Sequence, residues 1–228
     1  MVTHRHQDHA GLADAVSSSL DAPVVAWGGF ARGGSARLDG EDREPGFVPD
    51  VPLADGDVVE GPGFSLTALH TPGHTSDHMC FVDSVNRRVF CGDHIMAWST
   101  TVILPPDGHV GGYLDSLERL KKYHDHVFWP THGPPIAEPA RYIDQLIAHR
   151  AERERQLVEA LSDGPADADT LVSRVYHDID PRLKGAARQS LIAGLEWLIE
   201  KGEAIRSSAE PCYRLRQASS SARSYSTR

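Results

Sequence analysis

The sequence predicts an α+β protein in two parts, a sheet-and-helix domain followed by a small winged-helix domain. Three observations carry that expectation. Short apolar runs between residues 56 and 93 are interrupted by Gly, Pro and Asp, the punctuation of consecutive hairpins. From Pro139 onward the pattern turns helical, with three amphipathic stretches in a row. Two short strand-like runs, EAIRSS and CYRLR, then supply a two-stranded wing.

Taken in order, Ala10 to Leu20 reads as a helix and PVVAW as a buried strand. Residues 28–52, rich in Gly, Pro and charge, read as a long surface loop. DVVEGPGFSLTALH is two strands around a Gly-Pro-Gly turn, and HMCFVDSVNRRVFCGD is a hairpin turning at Ser84 to Asn86. GYLDSLERLKKY sets Leu114, Leu117 and Leu120 at helical spacing, and HVFWP is a short strand. EPARYIDQLIAHRAERERQLVEALSDG reads as one long helix with Ile143, Leu146, Ile147, Leu157, Val158 and Leu161 apolar and Gly164 as its stop. ADTLVSRVY and GAARQSLIAGLEWLIEKG complete the helices before the wing. This divides the chain into a first domain over 1–138, a connecting helix over 139–163 and a winged helix over 164–216. Residues 217–228 lack apolar content and are expected to be a disordered tail.

A chain of 228 residues can bury a real core, and 40% hydrophobic with 24% charged residues is ordinary for a soluble protein. The formal net charge of -9 argues against nucleic-acid binding through bulk positive charge. It leaves room for a local patch, and Arg182, Lys184 and Arg188 form a modest basic cluster. Three scattered cysteines are too few for a disulfide framework, and Cys91 reads as a small apolar residue at a strand end. No apolar run approaches the roughly 20 residues needed to cross a bilayer, and no signal-peptide pattern opens the chain. A soluble, cytoplasmic protein without a membrane partner is expected.

The chemistry lies in the histidines. His4, His6, Asp8 and His9 fall within the opening MVTHRHQDHAG; His74 lies in LHTPGHTSDH, Asp93 in FCGDHI and His132 in WPTHGPP. Each of the later three follows a strand-like run beside Gly or Pro, where a rigid sheet aims loop ligands well. His4 and His6, two apart on an extended segment, point the same way. His4, His6 and His74 are expected to hold one ion and Asp8, His9 and His132 a second, with Asp93 bridging through its carboxylate. All-nitrogen-and-oxygen ligation with an open position suits two Zn2+ ions, with Fe or Mn as alternatives. His70, His78 and His94 are expected to support the ligands, and His109, His124, His126, His149 and His177 to be solvated or packing residues. Trp98, Thr100 and Thr101 follow Asp93 closely and are candidate walls of a substrate pocket.

THRHQDH, TPGHTSDH, CGDH and PTHG, in this order, resemble the metallo-β-lactamase superfamily, whose ligand motif is His-x-His-x-Asp-His. TPGHTSDHM, the TTV after the Gly-Asp pair, YLDSLERL, HGPPI, AHRAERERQL and the trailing winged helix are similar to a beta-lactamase-like branch that includes a mitochondrial single-strand-specific endoribonuclease. The similarity runs from Thr3 to about Leu215. It implies a four-layer αββα sandwich. Superfamily members carry several strands before the ligand loop, of which only Met1, Val2 and Thr3 stand here, so an N-terminally shortened form is expected.

Two ions a few ångströms apart would ionise a water between them near neutral pH, for attack on an ester-like centre. Asp8 would orient that water or take a proton, and Asp93 would join the ions. The resemblance implies single-stranded RNA as substrate, with the winged helix guiding the strand. The alternative is a thioester, ester or lactone, as in glyoxalase II. A third reading, from outside enzymology, is a catalytically impaired winged-helix interaction protein whose exposed sheet edges favour homo-oligomers.

Overall fold

Val24, Val25 and Ala26 in PVVAW are buried, and Val25–Trp27 form strand β1. In the computed structural model, which describes residues 1–29, 46–207 and 211–216, β1 pairs in parallel with β2 (Val51–Leu53). The expected loop over 28–52 therefore ends in a strand; its middle and the tail at 217–228 lie outside the described residues. The expected helix over Ala10 to Leu20 starts three residues later as α2 (Ala13–Leu20), behind a separate four-residue turn, α1 (Gln7–Ala10). Leu12 between them has φ -107° and ψ 5°, outside helical values.

The alternating segment folds as expected into an antiparallel run of β3 (Val58–Gly61), β4 (Phe64–His70), β5 (Met79–Asp83) and β6 (Arg88–Gly92), with β7 (Val127–Pro130) added parallel to β6. Asp83 makes the β5–β6 turn by accepting from the Asn86 backbone N–H (2.9 Å) and its side-chain amide (2.7 Å). One face of this sheet packs Leu66, Ala68, Met79 and Phe81 with Val25 and Leu53 of the smaller sheet. Helix α3 (Val110–Leu120) buries Tyr113, Leu117 and Leu120, and His109 caps it by accepting from the Gly112 N–H. Strands β4, β6 and β7 run the same way, so the loops that follow them all open at one end of the sheet.

The long helix α4 (Pro139–Ser162) starts on a proline, which needs no hydrogen-bond partner at a first helical position. The chain divides into two compact units inside this helix, Met1–Ala151 and Glu152–Arg228. In the second unit, α5 (Ala168–Val175), α6 (Lys184–Glu200) and the end of α4 pack Leu157, Leu161, Leu171, Leu191, Leu195 and Leu198 into one core. A sheet ordered β8 (Ala166–Asp167), β10 (Cys212–Leu215), β9 (Ala204–Arg206) closes it, adding one short strand to the expected wing. In the basic cluster, Arg182 pairs with Asp180 (2.6 Å) and Arg188 with Asp169 (2.8 Å). No helix among the described residues is long and apolar enough to cross a membrane.

Candidate metal centre

The opening residues are sewn into the sheets before they deliver any ligand. The Val2 N–H donates to the Val25 carbonyl (2.9 Å), and the Thr3 carbonyl accepts from the Met79 N–H (2.8 Å). His4 follows in a bend and His6 on extended backbone, and α1 then turns Asp8 and His9 back toward them, with the His9 and Ala10 N–H groups both bonded to the His6 carbonyl. His74 comes from the β4–β5 loop, Asp93 from the end of β6 and His132 from the end of β7.

These seven residues, the whole ligand set expected from the sequence, fall into two groups. His4, His6 and His74 form one, and Asp8, His9, Asp93 and His132 the other, with one ligand atom from each residue of a group lying within 4.8 Å of the rest. In the first, His6 Nδ1 lies 2.8 Å from His4 Nε2 and 3.1 Å from His74 Nε2. In the second, His132 Nε2 is 3.0 Å from Asp8 Oδ2, and His9 Nε2 is 3.4 Å from the same oxygen. Asp93 Oδ2 stands between the groups, 3.3 Å from His9 Nε2, 3.6 Å from His132 Nε2 and 3.9 Å from His74 Nε2.

Charge and tautomer suit a divalent cation. Burial pushes His4 and His74 down from the usual imidazole range, and burial with the neighbouring His74 pushes His6 down to about 4. All three are therefore neutral at pH 7. His74 Nδ1–H donates to the Val102 carbonyl (2.6 Å), which leaves Nε2 as a lone pair aimed at His6 and Asp93. Burial pushes the Asp93 carboxyl up, but His9, His74 and His132 outweigh it and hold it below the ordinary carboxylate value. His9 Nε2 and Asp93 Oδ1 are buried without a hydrogen-bond partner. Converging nitrogen lone pairs, an ionised carboxylate and unsatisfied buried acceptors are a donor set that a metal ion completes.

Some supports were not legible in the sequence. Asp77, 3% exposed, accepts from the Arg5 backbone N–H (3.0 Å) and pairs with the Arg5 guanidinium Nε (3.3 Å), tying the first ligand loop to the loop of His74. The cue was an aspartate three residues beyond a ligand, too common to single out. His78, read as a supporting residue, accepts from the Asp93 N–H at Nε2 (3.1 Å) and contacts Thr71 Oγ1 at Nδ1 (2.9 Å). Gly92 has φ +51°, and a Cβ there would come within 2.5 Å of His78 Nε2, so glycine is needed ahead of Asp93. His70 Nε2 donates to the Ser76 carbonyl (2.8 Å) and its ring stacks on Trp27, while His94 is fully buried against the Tyr113 ring. Cys91 is buried, and burial pushes its thiol well up, as fits an apolar role.

The three pocket candidates separate. Trp98 is 71% exposed, with its ring nearly parallel to His132 at 6.1 Å between centroids. Thr100 is half-buried. Thr101 is buried, and its hydroxyl is within 2.9 Å of both the Asp93 and His94 carbonyls, so it faces the ligand loop from beneath.

Known proteins are similar to this chain in sequence and fold. Residues 1–132 match the model of the Metallo-beta-lactamase superfamily, and residues 168–210 that of the Beta-lactamase associated winged helix domain. The Beta-lactamase-like protein 2 homolog of Caenorhabditis elegans is 29% identical over 204 residues, which are 89% of this chain and 65% of that protein. The Atrochrysone carboxyl ACP thioesterase dmxR1 of Cryptosporiopsis sp. is 32% identical over 110 residues, 48% of this chain and 33% of that protein. The chain thus spans less than two thirds of the length of either relative. A metallo-beta-lactamase family protein from Thermus thermophilus superposes with a TM-score of 0.76 at 26% identity, covering 94% of this chain and 78% of that one.

Proposed function

Since this chain belongs to the metallo-beta-lactamase superfamily, we propose that it is a binuclear metal-dependent hydrolase. His4, His6 and His74 would hold one ion, Asp8, His9 and His132 the other, with Asp93 between the two groups. The observation that carries this reading is the place of Asp93 Oδ2, within 3.9 Å of nitrogens from both groups. Zinc fits the nitrogen-rich set first, with iron or manganese as alternatives.

When bound, the ions supply an ionised water near neutral pH and a Lewis acid for the developing oxyanion. The chain's own residues set the rest. Asp93 stays ionised because three imidazoles surround it, and His78 fixes its backbone. Asp8, with 56% of its side chain exposed, sits on the open side beside His132, where its carboxylate would orient the water or take the proton that the water loses on ionising. The Val102 carbonyl fixes the orientation of His74.

For substrate, we favour phosphodiesters of single-stranded RNA. The resemblance of TPGHTSDHM, YLDSLERL and AHRAERERQL to a branch that includes a single-strand-specific endoribonuclease supports this reading, and exposed Trp98 beside His132 suits stacking of an unpaired base. A second reading, thioester hydrolysis, is favoured by the 32% identity to a thioesterase over 110 residues and by the net charge of -9. Metal-loaded protein given labelled single-stranded RNA and, separately, an acyl-thioester distinguishes them. EDTA-sensitive RNA cleavage is expected; thioester turnover without RNA cleavage moves the assignment to the second reading, and neither sinks both.

A further inference from the structure

Helix α4 reaches the metal-centre loop from outside the ligand set. Its Tyr142 hydroxyl donates to the Met96 carbonyl (2.7 Å), and its Arg150 guanidinium Nη2 donates to the Thr101 carbonyl. The Arg150 guanidinium also lies over the Tyr113 ring, 5.0 Å from its centroid. Thr101 and Val102 are the dipeptide on which both ligand groups lean. The Thr101 hydroxyl is 2.9 Å from the Asp93 carbonyl, and the Val102 carbonyl accepts the His74 Nδ1–H at 2.6 Å. One ligand of each group therefore takes its position from two adjacent residues, and a cation on α4 grips the first of them.

We propose that Arg150 is a positioning residue for both metal subsites, acting through Thr101 and Val102 on Asp93 and His74. The inference rests on the ligand assignment above. A guanidinium suits the task because it can donate to a carbonyl while its flat face stays on an aromatic ring. With Arg150 bound, the dipeptide has one position, so the His74 acceptor and the Asp93 anchor stay in register. Without it the Thr101 carbonyl loses a charged donor, and the strand of contacts beneath both ligands loosens. Partners behind metal ligands commonly matter at this scale, about 10- to 100-fold in affinity.

The test reads metal affinity, with no substrate present. Chelator-treated full-length protein is titrated with Zn2+ against a chromophoric competitor, as wild type, Arg150→Met and Arg150→Lys. Arg150→Met keeps the aliphatic stem and removes the donor; Arg150→Lys restores a cation that reaches the carbonyl. The expected result is an affinity about 10- to 100-fold weaker at both subsites in Arg150→Met, with at least partial rescue in Arg150→Lys. Thermal unfolding of the metal-free proteins gives the control that a merely structural role would move. Two ions bound by Arg150→Met with wild-type affinity overturn the inference while leaving the ligand assignment intact. If Arg150→Met does not fold, Thr101→Val and Thr101→Ser replace it: weaker affinity in the first and wild-type affinity in the second support the chain of contacts. Equal affinity in both overturns it.

Discussion

The two ligand groups differ in depth and in charge. His4 and His74 are 1% and 8% exposed and their group carries no carboxylate of its own. The other group has two carboxylates, and 56% of the Asp8 side chain and 32% of that of His132 are open to solvent. Burial explains the first composition: desolvation favours neutral imidazole, and a neutral ring whose other nitrogen is fixed by a carbonyl offers a permanent lone pair. The second group can carry charge because water reaches Asp8 and because three imidazoles surround the buried Asp93. On the proposed assignment, a substrate and a proton acceptor would sit on the Asp8–His132 side, with the deep group as the anchor.

Asp93 joins the two groups, so its loss tests the comparison most severely. Asp93→Ala is expected to lower metal content from two ions per chain to one or none and to cut hydrolysis by more than about a hundredfold. Elemental analysis after dialysis and a rate measurement on the same sample check both. Two ions retained in Asp93→Ala means that the groups bind independently and no carboxylate joins them.

The next largest effect falls on the deep group alone. Asp77 accepts a backbone N–H from Arg5 and pairs with its guanidinium, so Asp77→Asn removes a charged partner from a buried position. A loss of about 2–3 kcal/mol in unfolding free energy is expected from denaturant titration. One of the two ions should leave more readily than in wild type, the other unchanged. Equal weakening of both would mean that Asp77 supports the fold and favours neither group.

Much of this is legible in the sequence, for identifiable reasons. The hairpins over residues 58–92 follow from local alternation and turn residues, and the seven ligand-type residues from their chemistry and their place at strand ends. Strand β2 leaves no such trace, because Val51-Pro52-Leu53 is short, contains proline and pairs with the distant Val25–Trp27. The helix break at Leu12 is equally hidden, because an apolar leucine carries no local stop signal and only its φ of -107° and ψ of 5° mark the break. Arg5–Asp77 and Thr101–Arg150 span 72 and 49 residues, and no local pattern marks such pairs. Thr101 is a pocket candidate by its proximity to Asp93, while its contacts place it beneath the loop.

Acid should separate the groups by a smaller margin. In the metal-free protein His6 is pushed from 6.5 to about 4, chiefly by burial, and His74 moves the same way. The unfolded chain then binds more protons than the folded one between those values, so stability rises with pH across that window. Its contribution is fully present above 6.5 and is lost as pH falls toward 4. The melting temperature of chelator-treated protein should therefore drop between pH 6.5 and 4, and less so in His6→Gln. A flat profile through that window would show that solvent reaches the deep imidazoles.

The smallest effect belongs to the open side. Trp98 stacks near His132 but most of its ring is in water, so it can serve a bound substrate or merely shield its neighbour. These roles part on kinetics. If the ring receives a base, Trp98→Ala should raise KM by about 5- to 150-fold, the worth of one stacked base, leave kcat within about twofold and keep two ions per chain. Trp98→Phe should recover most of the loss, because a smaller ring still stacks. If the ring only shields His132, kcat and metal retention fall together while KM holds. The first outcome places substrate recognition on the shallow group, beside the proposed proton acceptor Asp8; the second makes Trp98 part of the wall that keeps His132 aimed.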